Sequence, residues 1–246
     1  MSAWAAIEIT TYVLAAAFGA FAIALWRRQG VPISIGLGVA IDRRAATELG
    51  VGLLIAAAAM AGIFLVELGL GGIEATRAAF GPAALLQFGL ILLVSGFVEE
   101  FAMRSMLLSG LALLLGGRPL AAVGISAILF GIMHMMNPGA SALSVVSNTL
   151  GGVIYGLAFV RTRRIWAGLG LHFAWNYVQG PILGLIVSGH TMGGLLHIAD
   201  LGPVSLTGGA YGPEGGAVGL VFRFVVIAAL LAWTRGRTRG SHPDQK

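Results

Sequence analysis

Along the chain, apolar runs of about 20 residues alternate with short polar or basic joints, as in a chain that crosses a bilayer repeatedly. By that measure spans are expected near 3–25, 49–69, 82–97, 99–115, 119–136, 141–160, 165–187 and 217–234, about eight in all. Turn signals mark the joints at Gly71-Gly72, at Gly116-Gly117 before Pro119, and at Pro138-Gly139. Segment 31–48 reads as an edge loop with a short amphipathic turn around Asp42 to Glu48. Segment 188–216 is the longest joint, glycine-rich and ending "GGAYGPEGG". The first run, Ala3 to Leu25, has no basic residue before it and is too long for a signal-peptide core, so it reads as a retained span. No repeat or domain boundary interrupts the pattern. The expectation is a single all-α integral membrane domain over 1–246.

Composition sharpens this. Of 246 residues 57% are hydrophobic and only 10% are charged, too little charge for a soluble domain of that length. The net charge of +5 does not indicate a nucleic-acid partner. The positives gather at the ends of apolar runs: Arg27 and Arg28, Arg43 and Arg44, Arg161, Arg163 and Arg164, then Arg235, Arg237 and Arg239. Charges so placed set topology against anionic headgroups, so the lipid bilayer is the expected partner. There is no cysteine, which removes disulfides, thiol nucleophiles and cysteine metal sites. The 38 glycines suit close approach of helices in lipid.

Against that background a few polar residues stand out. Glu99, Glu100 and Arg104 open the expected fourth span, His134 lies near the end of the fifth, and His172 and Asn176 lie within the seventh. Intramembrane ionisable residues are expensive and normally paired or functional. Glu100 and Arg104 are four apart, as are His172 and Asn176, so each pair shares a helix face. Glu99 is turned about 100° from Glu100 and meets a different neighbour. Spans four and five run antiparallel through a short turn, so Glu99 and His134 are expected at one depth. Glu100 with Arg104 reads as a neutralised structural pair, and Asn148 as packing.

Several hydrolytic solutions are absent. There is no HExxH zinc motif. Asp42, Asp200 and Asp244, the only aspartates, lie in joints or the tail. Ser126 in "GISAI" lacks the second glycine of a nucleophile elbow. What remains is a glutamate with histidine, able to deprotonate water, with Asn176 and one histidine as donors to an oxyanion.

The ordered motifs EExxxR (Glu99, Glu100, Arg104), FxxxH (Phe130, His134) and HxxxN (His172, Asn176) resemble the CPBP family. These are the CaaX-protease and bacteriocin-processing enzymes, also called ABI or Rce1-like intramembrane glutamic endopeptidases. "YGPEGG" is similar to the bacterial members, and Ser105 departs from the glycine that many members carry. The resemblance implies about eight spans around a four-helix catalytic core, about 82–187. It implies an intramembrane endopeptidase cutting near the membrane surface, in CaaX-type, C-terminal or leader processing. Glu99 and His134 would activate water, His172 and Asn176 would support the oxyanion, and Glu100, Arg104 and Phe130 would brace the site. The implied partner is a membrane-associated protein or peptide substrate, and the implied location a bacterial or archaeal cell membrane. No cofactor is expected. A zinc on Glu99, His134 and His172 is the second choice, since it would leave only Glu100 as base, and that residue is committed to Arg104. Two other classes stay open: a non-catalytic membrane scaffold or immunity protein of the same fold, and a small proton-coupled transporter. With eight spans, the positive-inside rule puts both termini in the cytosol and the Glu99–His134 end outside, but strands the Arg27–Arg28 pair on the outer side.

Overall fold

In the computed structural model, which describes residues 3–236, apolar helices dominate. Five are long and apolar enough to cross a membrane. They are α1 (Ala3–Arg28), α2 (Arg43–Gly69), α3 (Pro82–Leu114), α4 (Pro119–Met136) and α5 (Ala142–Thr162). Two shorter ones complete the bundle: α6 (Trp166–Tyr177, continued by a π-helical turn over Val178–Ile182) and α7 (Ala217–Trp233). The chain is therefore an all-α polytopic membrane protein.

One expectation is corrected here. The stretches 82–97 and 99–115 are not two spans but the single helix α3. A glutamate pair inside an oily run reads as a break only while its partners are unknown. In the fold Glu100 is paired with Arg104 and hydrogen-bonded to His172, so nothing forces the helix to end. Instead the backbone widens to a π-helix over Phe101–Leu108, directly after the glutamates. Such widening recurs at functional sites because it re-aims side chains without ending a helix. Two serines tie it down. Ser109 Oγ donates to the Arg104 carbonyl, and Ser105 Oγ donates to the Leu37 carbonyl at 2.6 Å. The latter bond gives Ser105, the departure from the expected glycine, a fixed place.

Merging the two spans re-sorts the ends of the bundle. Arg27, Arg28, Arg43, Arg44, Arg118, Arg161, Arg163, Arg164 and Arg235 now share one end, and Arg77 stands at the other. The Arg27–Arg28 pair is no longer stranded. Ala3 and Gly236, the first and last described residues, fall at opposite ends, while Arg237, Arg239 and Asp244 lie outside the described residues. At the basic end Asp42 caps α2 through the Arg44 and Ala45 amides and receives Arg164 at 2.9 Å. The Arg164 hydrogen bond holds the Asp42 carboxyl down at about 2.

Small residues let the core close. Gly52 of α2 and Gly170 of α6 each lie where a Cβ would strike the other helix's backbone, so the two helices meet at main-chain contact. Without a strong hydrophobic force between helices in lipid, such contact is what holds them. α1 packs along the second half of α3, from Phe101 onward. The first half of α3 leans on α6 and turns Leu86, Leu90, Ile91, Val94 and Val98 outward.

The long joint is also structured. β2 (Leu196–Asp200) pairs antiparallel with β1 (Ile73–Arg77), Ile73 opposite Asp200, in a two-stranded ribbon at the end away from the arginines. Helical turns at Val204–Thr207, Gly209–Tyr211 and Pro213–Gly215 follow and lead into α7.

Candidate active site

Glu99, His134, His172 and Asn176 line one cavity of about 230 Å³, reached also by Glu8 and Tyr12 of α1 and by Asn137, Ser188 and His190. Three helices place the four. Glu99 comes from the middle of α3, His134 from the last turn of α4, and His172 and Asn176 from one face of α6. All four residues expected to form the site therefore meet.

Beneath the cavity lies a buried charge network. Glu100 is fully buried, and its Oε1 forms an ion pair with Arg104 Nη1 at 3.2 Å and accepts from His172 Nδ1 at 3.0 Å. Glu100 thus serves both Arg104 and His172, more than the structural pair anticipated. Arg104 donates to the Gly152 carbonyl at 3.3 Å and lies over the rings of Phe130 and Tyr155, 4.8 and 5.1 Å from their centroids. Gly168 opens the space this needs. A Cβ there would sit 3.0 Å from Glu100 Oε2.

The imidazoles are held firmly. With its Nδ1 bound to Glu100, His172 turns Nε2 toward Glu99, whose Oε2 is 4.0 Å away. Its ring stacks on Tyr155 at 4.7 Å with only 9° between planes. His134 donates from Nδ1 to the Phe130 carbonyl at 2.8 Å, and its ring lies 4.6 Å from that of Phe130. Both histidines therefore present Nε2 to the cavity from a fixed frame. Among the described residues, no three His, Cys, Asp or Glu side chains are grouped to hold a metal.

Residues 81–178 match a sequence family described as type II CAAX prenyl endopeptidase Rce1-like. This segment is Rce1-like. It spans α3, α4, α5 and the helical part of α6, and so contains every residue of the three motifs. The printed description is that of a prenyl endopeptidase, a hydrolase, and the likeness extends over this segment of the chain. No curated protein and no solved structure matches the chain.

Outside the Rce1-like segment, the long joint supplies a latch that the sequence did not assign. Glu214 is buried, and its Oε1 accepts from Trp175 Nε1 and from Arg223, each at 3.0 Å. Arg223 lies 3.8 Å over the Trp175 ring. Glu214 Oε2 accepts from both the amide and the hydroxyl of Ser188. Ser188 is held in the left-handed region at φ 46°, and its carbonyl accepts from Asn137 at 3.0 Å. The Val187–His190 turn thereby hangs over the cavity, secured to the same helix that carries His172. Asn148, read as packing, donates to Tyr211 Oη at 2.7 Å in this cap, where burial pushes the Tyr211 phenol upward. Ser126 is buried and bonded to its own helix, away from the cavity. The only hint in sequence was "YGPEGG", a polar residue fixed among glycines.

Proposed function

We propose that this chain is an intramembrane endopeptidase in which Glu99 acts as the base that deprotonates water. The convergence of Glu99, His134, His172 and Asn176 on one cavity carries the reading. Glu99 is the carboxylate with room to work. It is partly exposed to the cavity, whereas Glu100 is fully buried and occupied by Arg104 and His172. His134, its Nδ1 proton engaged by the Phe130 carbonyl, offers the Nε2 lone pair to the same water. The hydroxide attacks the scissile carbonyl carbon, and the developing oxyanion takes hydrogen bonds from Asn176 Nδ2 and from His172 Nε2, the His172 ring having taken its second proton from solvent before the attack and keeping it throughout. The proton held by Glu99 passes to the leaving amine as the C–N bond breaks. Glu100, Arg104 and Phe130 act through others: they fix the His172 ring and the π-helical turn.

The substrate in this reading is a membrane-associated protein or peptide, with CaaX-type C-terminal processing the best match to the family. The test is cleavage of a quenched farnesylated CaaX peptide, beside its unprenylated form, by purified protein in liposomes. Glu99→Gln should lower kcat by at least about 10²-fold, since a general base contributes roughly 10²–10⁴, while thermal stability stays unchanged. Full turnover by a folded Glu99→Gln protein would refute the mechanism.

A further inference from the structure

The end of α2 holds a carboxylate with no explanation in the catalytic site. Glu67 has no exposed surface, and neither carboxylate oxygen has a hydrogen-bond donor among the described residues. It faces a separate cavity of about 60 Å³ together with Asp200 and Thr207. The surrounding backbone fixes their proximity. The Gly72 amide donates to the Glu67 carbonyl at 2.8 Å, and the Gly72 carbonyl accepts from the Leu201 and Gly202 amides at 2.9 and 2.8 Å. Asp200 Oδ1 accepts from the Gly202 amide at 3.2 Å and Oδ2 from Thr207 Oγ1 at 2.9 Å. No lysine, arginine or histidine lines this cavity.

Every term at this place is negative. Burying a carboxylate without a donor is costly, and a second carboxylate beside it adds repulsion. The carbonyl end of α2 contributes a further partial negative charge within the last turn. The position thus demands a positive partner, and what it offers is oxygen only: two Glu67 atoms, the Asp200 carboxylate and the Thr207 hydroxyl. Oxygen donors of this kind select hard cations, and a glutamate free to bind through both oxygens suits calcium. A water needs only about 10–15 Å³ of such space, so the cavity accommodates an ion with waters completing its shell.

We propose that Glu67 and Asp200 form a calcium-class cation site that joins α2, the strand ribbon and the joint leading to Glu214. The bound ion cross-links the cap that carries Ser188 and His190 to the helix bundle. The site is separate from the catalytic cavity and does not depend on the proposed hydrolytic mechanism.

The experiment uses the full chain in detergent after chelator stripping, with ⁴⁵Ca²⁺ equilibrium binding and melting temperature followed against CaCl₂. MgCl₂ and NaCl of matched ionic strength serve as comparison arms. The expected result is saturable binding of one Ca²⁺ per chain, in the range of about 10⁻⁴–10⁻³ M typical of extracellular calcium modules. A saturable rise in melting temperature should accompany it. Glu67→Gln and Asp200→Asn should each weaken binding by at least about tenfold. If Glu67→Gln does not fold, Asp200→Asn, at an exposed position, carries the test. Absence of saturable Ca²⁺ or Mg²⁺ binding up to about 10 mM would overturn the proposal. So would a Glu67→Gln protein that melts higher than wild type with no cation effect in either, the behaviour of a simply protonated acid.

Discussion

Arg104→Ala puts the buried network to its hardest test. Arg104 is 1% exposed and Glu100 is 0%, so removing the guanidinium leaves a carboxylate in the interior with the His172 Nδ1 hydrogen bond as its remaining support. Losing one member of a buried pair costs about 3–5 kcal/mol, because the other charge stays desolvated. The contacts over Phe130 and Tyr155 add about 1–2 kcal/mol when desolvated. The expected loss is therefore on the order of 5 kcal/mol, against a total stability of roughly 5–15 kcal/mol. For a chain of this size each kcal/mol moves the melting temperature by about 2–4 °C, so a fall of roughly 10–20 °C is expected, with reduced abundance in membranes. Glu100→Gln combined with Arg104→Met removes both charges and should restore more than half of that fall, since no unpaired carboxylate remains. Intrinsic tryptophan fluorescence on heating, with membrane abundance from immunoblots, reads both. An Arg104→Ala protein as stable as wild type, or a double variant as unstable as the single one, would refute the reasoning.

Gly168→Val should depress activity and stability together, because its Cβ would sit 3.0 Å from Glu100 Oε2; melting temperature and peptide turnover check this. Treatment with 1,10-phenanthroline, which removes zinc and spares calcium, should leave peptide cleavage unchanged, and activity lost with stoichiometric zinc would reverse the mechanism. Reporter fusions after Gln29, after Arg164 and after Arg235 should all give cytosolic signals, because these points share the arginine-rich end. A reporter at Gly202 should give the opposite signal, and a split among the first three would contradict the merged α3.

The four residues that meet at the cavity were legible because each interrupts an apolar run, where an ionisable or amide group cannot pass as ordinary surface. The helical period correctly paired Glu100 with Arg104, now seen at 3.2 Å. It could not show that Glu100 also grips His172, 72 residues away, since no local spacing encodes a contact between helices. The eight-span count failed for the same reason: charges that α5 and α6 help to neutralise look, in isolation, like a boundary. The latch was hidden because glycine-rich loops carry no periodicity. Glu214 and Ser188 gain meaning only when the chain returns them over Trp175 and Asn137.

The first half of α3 is a wall with lipid on one side and the cavity on the other, since Leu92, Ser95 and Glu99 line the cavity while Leu90, Ile91 and Val94 face outward. α1 packs chiefly along the second half of that helix, so the flank beside Glu8 and Tyr12 is where a reactant borne in the membrane would enter. A reactant using this door arrives by diffusion in two dimensions, already dissolved in the bilayer. Its effective concentration is then a mole fraction in lipid rather than a molarity in water. Turnover should obey surface dilution: adding inert phospholipid at constant amounts of protein and peptide slows the reaction, whereas adding buffer does not.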